Sequence, residues 1–171
     1  MKRLIITILV LSASFIINGC YSFTGASIPV TVKTFSVQFF ENKAQLVIPS
    51  FSQEFTESLK DKVLRSSPLD LIRPLGDVDF EGTVTNYRVD PVAITSGGEQ
   101  DRGQANQNRL TVTVQVKCVN SKDEKLSFDQ SFTRYADFPK NESLARRQPQ
   151  LHKLIIDQLV DDIFNRAFSN W

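Results

Sequence analysis

The stretch RLTVTVQVKCVN, residues 109–120, alternates with a regularity that leaves little choice of fold. Leu110, Val112, Val114, Val116 and Cys118 fall on one side of an extended chain, and Thr111, Thr113, Gln115 and Lys117 fall on the other. Period two with a single apolar row is the pattern of a strand whose sheet is covered on one face. Something apolar must lie against that covered face, and the opposite face presents a polar row to water or to a partner. Cys118 shares the apolar row and is expected as a small buried hydrophobe, not a reactive thiol.

The rest of the chain supplies what the strand needs. In VTVKTFSVQFF, residues 30–40, Phe35, Val37 and Phe39 alternate with polar neighbours and predict a first strand. Phe51, Phe55, Leu59 and Val63 then recur every four residues, which predicts a helix from about Ser50 to Arg65. Ser50 and Gln53 have capping-box spacing, and Pro68 lies beyond the end. Period two returns in GDVDFEGTVTNYRVDPVAI, residues 76–94, with Val78, Phe80 and Val84 on one face but Tyr87 and Val89 on the other. Such a change of face predicts a bulge near Thr85 or Asn86. Residues Thr95 to Arg109 carry three glycines and no periodicity, and read as a long polar hairpin tip. LTVTVQVKCV and EKLSFDQSFTRYADF pair across the turn formers NSKDEK. In PQLHKLIIDQLVDDIFNRAF, residues 149–168, Leu151, Leu154, Ile155, Leu159 and Ile163 form a helical stripe that Ile156, Val160 and Phe164 widen. The order β-α-β-β-β-α predicts an α+β two-layer sandwich, a four-stranded mixed sheet covered by two helices.

The amino terminus reads as an address. Lys2 and Arg3 precede the apolar run Leu4–Ile17, which is short for a bilayer span and suits a secretory signal core. The run stops at Ile17-Asn18-Gly19-Cys20, which resembles a bacterial lipobox. On that reading residues 1–19 are a signal peptide and Cys20 becomes the acylated first residue. Residues 20–29 are then a lipidated tether, and residues 30–171 form one α+β domain. A plain export signal with an incidental cysteine is the alternative, followed by a transmembrane anchor. The chain has 20 Lys+Arg against 19 Asp+Glu, so removing Lys2 and Arg3 leaves 18 − 19 = −1. That balance does not describe a general nucleic-acid binder. Of the two cysteines, lipidation of Cys20 leaves Cys118 without a disulfide partner in the chain.

Catalytic groupings are sparse. His152, the only histidine, is expected as a solvent-facing or partly packed imidazole. Asp161 and Asp162 are adjacent, so on a helix they diverge by about 100° and read as a solvated face. Asp77, Asp79 and Glu81 place three acids on one side of a strand, without the glycine-punctuated turns of a calcium loop. SGGEQDRGQ lacks the Gly-Lys-Ser/Thr ending of a phosphate loop. Arg102 and Arg109 can still fork onto phosphate or carboxylate oxygens; the alternative is a flexible surface hairpin. The expectation is a chain with no catalytic residues, no cofactor and no metal.

The blocks YSFTGASIPVTVKTFSVQFFENKA, DVDFEGTVTNYRVDPVAI, NRLTVTVQVKCVN and QLVDDIFNRAFSNW, in that order, resemble the LptE-type lipopolysaccharide-assembly lipoproteins in their Bacteroidota form. The resemblance spans Cys20 to Trp171. It implies a non-enzymatic lipoprotein of the inner leaflet of the outer membrane. Such a protein plugs the LptD β-barrel translocon, helps it fold, and assists lipopolysaccharide insertion into the outer leaflet. It further implies basic residues near one end of the sheet that contact the glycolipid, for which Arg102, Arg109 and Lys117 are the candidates by chemistry. After Cys20 the chain has neither Asp at the next position nor an acidic cluster, which fits the periplasmic side of the outer membrane. A different class, a free periplasmic lipoprotein holding a lipid or glycan, would require a wide apolar pocket between helices and sheet.

Overall fold

The computed structural model describes residues 28–92 and 107–169. The signal segment, Cys20, Arg102 and most of the expected hairpin tip lie outside the described residues. The elements are β1 (Thr34–Val37), β2 (Glu41–Asn42), α1 (Pro49–Ser66), β3 (Asp70–Leu71), β4 (Val78–Val92), β5 (Gln107–Asn120), a 3-10 turn (Glu124–Leu126), β6 (Phe128–Pro139) and α2 (Leu144–Phe168).

The expected α+β class and two helices are present, but the mixed sheet has six strands instead of four, in the order β3-β1-β4-β5-β6 with β2 also on β4. β1 runs parallel to β3 and β4, β2 runs parallel to β4, and β4, β5 and β6 are antiparallel neighbours. The two additional strands are two residues long, too short to show a period. β3 follows α1 directly and is tied to β1 by Asp70 N–H donating to the Lys33 carbonyl and Ile72 N–H to the Phe35 carbonyl, both at 2.9 Å. β2 continues the track of β1 along β4 after a break. At that break Phe40 turns inward, its N–H donates to Thr56 Oγ1 at 3.2 Å, and its ring meets Phe55 edge-on at 5.0 Å.

The expected bulge is where the change of face put it. Val84 pairs with Val114 and Asn86 with Thr113, so Thr85 is the surplus residue. It brings Val78, Phe80 and Val84 before it and Tyr87 after it onto the same buried face. β5 starts earlier than its apolar row suggested: Gln107, Asn108 and Arg109 pair with Val92, Pro91 and Asp90, so the tip expected from Thr95 to Arg109 loses its last three residues to the sheet.

α1 buries Phe51, Phe55, Leu59 and Val63 completely, as the spacing requires. Its start differs from expectation. Ile48 is the N-cap, with no side-chain cap, and Pro49 opens the helix, so Ser50 and Gln53 form no capping box. Proline suits this position because its fixed φ is helical and its missing N–H is not needed there. α2 begins at Leu144, five residues before the expected start, and carries Pro149 inside. Arg147 forks onto Glu142 just ahead of the helix and secures that added turn. Both helices lie on one sheet face, and Phe35, Phe80, Leu110, Val112, Val114, Val116, Ile155, Leu159 and Ile163 are fully buried between the layers. Among the described residues no helix is long and apolar enough to cross a membrane.

Candidate interaction surface

The uncovered sheet face is built by the odd-numbered residues of β5 and their neighbours. The register sets them in cross-strand rows: Asp90-Arg109-Asp137, Arg88-Thr111-Tyr135, Asn86-Thr113-Thr133, Thr83-Gln115-Ser131 and Glu81-Lys117-Asp129. These five rows are polar, as the alternation predicts, and most are closed by side-chain bonds, whereas Val119, the last odd-numbered residue of β5, is apolar and 41% exposed. Arg109 forks onto Asp137 at 2.7 and 2.9 Å, with its guanidinium 3.8 Å over the Tyr135 ring. Thr113 and Thr133 share a hydroxyl hydrogen bond of 2.9 Å, and Gln115 bonds both Asp129 and Ser131. Lys117 donates to Glu81 at 2.7 Å.

Two of the candidate contacts, Arg109 and Lys117, therefore share this face, at the two ends of one column, and each already holds a carboxylate. The Asp137 partner raises the Arg109 pKa, and the Glu81 partner raises that of Lys117, so both stay cationic at any physiological pH. Arg102 lies outside the described residues and is not placed beside them. Among the described residues, the end of the sheet where β4 stops and β5 starts has a local excess of base that the sequence did not single out. There the basic side chains of Arg88, Arg109, Lys140, Arg146 and Arg147 meet the acids Asp90, Asp137 and Glu142. Lys140 and Arg146 are exposed, and among the described residues no carboxylate lies within 4 Å of either, although Arg146 acts on Glu142 through its charge. They follow β6 in the chain, where hydropathy gives no signal of what they stand beside.

The acidic groups have structural partners. Asp77 accepts the backbone N–H groups of Lys33 and Thr34 and pairs with Lys122, and these bonds hold its carboxyl well below the usual range. Asp79 accepts from Ser36 and Gln38. Asp161 and Asp162 diverge as expected and Asp161 is exposed, but both also hold cations: Asp161 reaches Lys62 of α1 at 2.7 Å, and Asp162 takes a two-bond fork from Arg134 of β6. Their divergence along the helix is what lets one residue clamp each neighbour. Among the described residues no group of three His, Cys, Asp or Glu is placed to hold a metal.

His152 departs furthest from expectation. Only 1% of it is exposed. Its Nε2 lies 2.9 Å from the Tyr87 hydroxyl and its Nδ1 3.2 Å from Glu54, with Phe51 packed edge-on at 5.0 Å. Neither Tyr87 nor Glu54 gave a sequence signal for this bridge, because it joins three elements far apart in the chain. Two cavities among the described residues are respectively small and polar. The space lined by Ile28, Val32, Leu126 and Phe168 measures about 10 Å³, room for one water at most. A groove of about 340 Å³ outside α1 and α2 is walled by Asp61, Lys62, Arg65, Asp157 and Asp161 and is polar.

The sequence model of the lipopolysaccharide-assembly family, LptE, matches residues 32–167 and so takes in every element of this fold. The chain belongs to that family. Membership places it among the envelope lipoproteins of lipopolysaccharide assembly and outer-membrane biogenesis. Solved structures resemble the fold of this chain at low identity. A minor lipoprotein from Acinetobacter baumannii is 13% identical over 80% of this chain and 93% of its own, with a TM-score of 0.50. A hypothetical protein from Chlamydia trachomatis is 9% identical over 79% and 98%, with a TM-score of 0.54. The rare lipoprotein B of Shewanella oneidensis is 8% identical over 78% and 90%, with a TM-score of 0.42. No curated protein sequence matches the chain.

Proposed function

We propose that this chain is a non-enzymatic, lipid-anchored subunit that seats inside an LptD-type outer-membrane β-barrel, helps the barrel assemble, and assists insertion of lipopolysaccharide into the outer leaflet. Cys20 carries the anchor, and the protein stands on the periplasmic side of the outer membrane. The observation that carries the reading is the polar ladder on the uncovered sheet face. The lumen of a large barrel is polar and wet, so a plug must offer it hydrogen-bonding side chains instead of an apolar patch. Five rows of Thr, Gln, Ser, Arg, Lys and acid residues supply such a face.

Glycolipid contact falls at the hairpin end. Arg109 there is balanced by Asp137, so the exposed Lys140 and Arg146 are the stronger candidates, with Arg102 as the third and Lys117 at the far end as the weakest. Contact with an anionic lipid is then local, in keeping with a mature charge near neutrality. A free lipid or glycan carrier would need an apolar pocket, and the cavity and groove found among the described residues are respectively too small and too polar for one.

Purification of the full chain in mild detergent tests the reading. The barrel should accompany it in equal amount, and mass spectrometry should find Cys20 acylated. Recovery of the chain alone, or an unmodified Cys20, would refute it.

A further inference from the structure

Tyr87, His152 and Glu54 form a cluster of titratable groups that the interaction surface does not use. The cluster joins β4, α2 and α1 in one line: Tyr87 Oη to His152 Nε2 at 2.9 Å, and His152 Nδ1 to Glu54 Oε2 at 3.2 Å. The imidazole is enclosed by the Phe51 ring at 5.0 Å and the Tyr87 ring at 5.8 Å, both nearly perpendicular to it. Tyr87 is 2% exposed, whereas about half of the Glu54 side chain reaches solvent.

Proton counting fixes how the line is bonded. An ionised carboxylate only accepts, so Nδ1–H donates to Glu54, and Nε2 then accepts the Tyr87 hydroxyl proton. In this neutral arrangement both ring nitrogens and the Tyr87 hydroxyl have partners. A second proton on the ring turns Nε2 into a donor. Tyr87 must then accept, so its own proton loses the one hydrogen bond described for it, in a side chain that is 2% exposed. The cation is buried at the same time, with one half-exposed carboxylate to offset it. Burial lowers the His152 pKa, and Glu54, by charge and hydrogen bond, acts in the opposite direction. Glu54 from α1 and Tyr87 from β4 are the titratable groups that touch the ring. No hydrogen bond or ion pair reaches it from β5 or β6 among the described residues.

We propose that this bridge is an acid-released latch, which holds the start of α1 and the first half of α2 on β4 while the imidazole is uncharged and lets that end of the helix pair loosen once it is protonated. The turns of α2 ahead of His152 carry Arg146 and Arg147, so release would move cations at the hairpin end of the sheet. The latch stands on the geometry of the core and does not depend on the barrel reading.

The chain has a single histidine, so its ring signals in nitrogen-15 NMR are unambiguous. For the full chain in detergent, the expected result at neutral pH is the Nδ1–H tautomer, titrating below the ordinary imidazole value of about 6.5. Backbone hydrogen exchange, corrected for intrinsic rates, should show residues 144–156 and 51–55 opening up to about tenfold more for each pH unit below 6.5, with β5 unchanged. The His152→Gln variant, whose amide can donate to Glu54 and accept from Tyr87, should lose that acid response. A ring that titrates at 6.5 or above, uniform protection across pH, or acid opening that persists in His152→Gln would overturn the latch. Should His152→Gln not fold, the wild-type tautomer and titration decide alone.

Discussion

Replacing Phe55 with alanine tests how the helices are held to the sheet. Phe55 has no exposed surface, meets the Phe40 ring edge-on at 5.0 Å, and stacks with Phe51 at 6.2 Å. Burying a phenylalanine side chain contributes roughly 1.5–3 kcal/mol, and favourable ring pairs add about 0.5–1.5 kcal/mol each. The truncation also leaves a void that neighbouring rings fill only in part, so the expected loss is about 3–5 kcal/mol. Against a total domain stability of roughly 5–15 kcal/mol that is a large fraction. Leu64, on the same helix but 44% exposed, is the internal control, and its change to alanine should cost less than about 0.5 kcal/mol. Urea unfolding of the full chain in detergent, followed by circular dichroism, reads both. A loss below about 1 kcal/mol for Phe55→Ala, or equal losses at the two positions, would refute the claim that this aromatic cluster joins α1 to the β1–β2 break.

Gly82→Ala should destabilise the fold by about 1–3 kcal/mol in the same assay, because an added Cβ would stand 2.1 Å from the Gln115 carbonyl oxygen and 2.6 Å from the Phe40 ring. Cys118 is pushed up to about 12 by burial, so a thiol reagent at pH 8 should leave it unmodified in the folded protein and label it once urea unfolds the chain. Asp77 has a folded pKa below its unfolded value of about 3.9, so its stabilisation is complete above that value and is lost as pH falls through the folded pKa. Asp77→Asn should remove this acid limb from a stability–pH curve, leaving it flatter below about pH 4.

The parts of the fold that were legible are those where periodicity runs long enough to be measured. The β5 alternation, the every-fourth-residue stripe of α1 and the change of face in β4 all report burial on one side, and the structure places them so. β2 and β3 were illegible because two residues have no period, and because their pairing depends on where distant chain returns. Pro149 stands ahead of the apolar stripe, where a helix would be expected to begin, but α2 starts five residues earlier, beside the fork from Arg147 to Glu142. The polar character of the outer face is legible in Thr111, Thr113, Gln115 and Lys117, but its closure is not. Arg109 finds Asp137, and Lys117 finds Glu81, only through cross-strand register. His152 failed for the opposite reason. A polar residue beside an apolar stripe looks half-exposed until Tyr87 and Glu54 arrive from other elements to satisfy both ring nitrogens.

The surplus residue Thr85 has a consequence for how this strand can vary. One extra residue sets the phase between the two halves of β4, so inserting or deleting a single position between Gly82 and Tyr87 would cancel it. Tyr87 would then turn outward and Arg88 would point into the core, whereas a change of two positions would leave both facing as they do now. Odd against even, more than the identity of any side chain there, is the quantity this stretch must conserve.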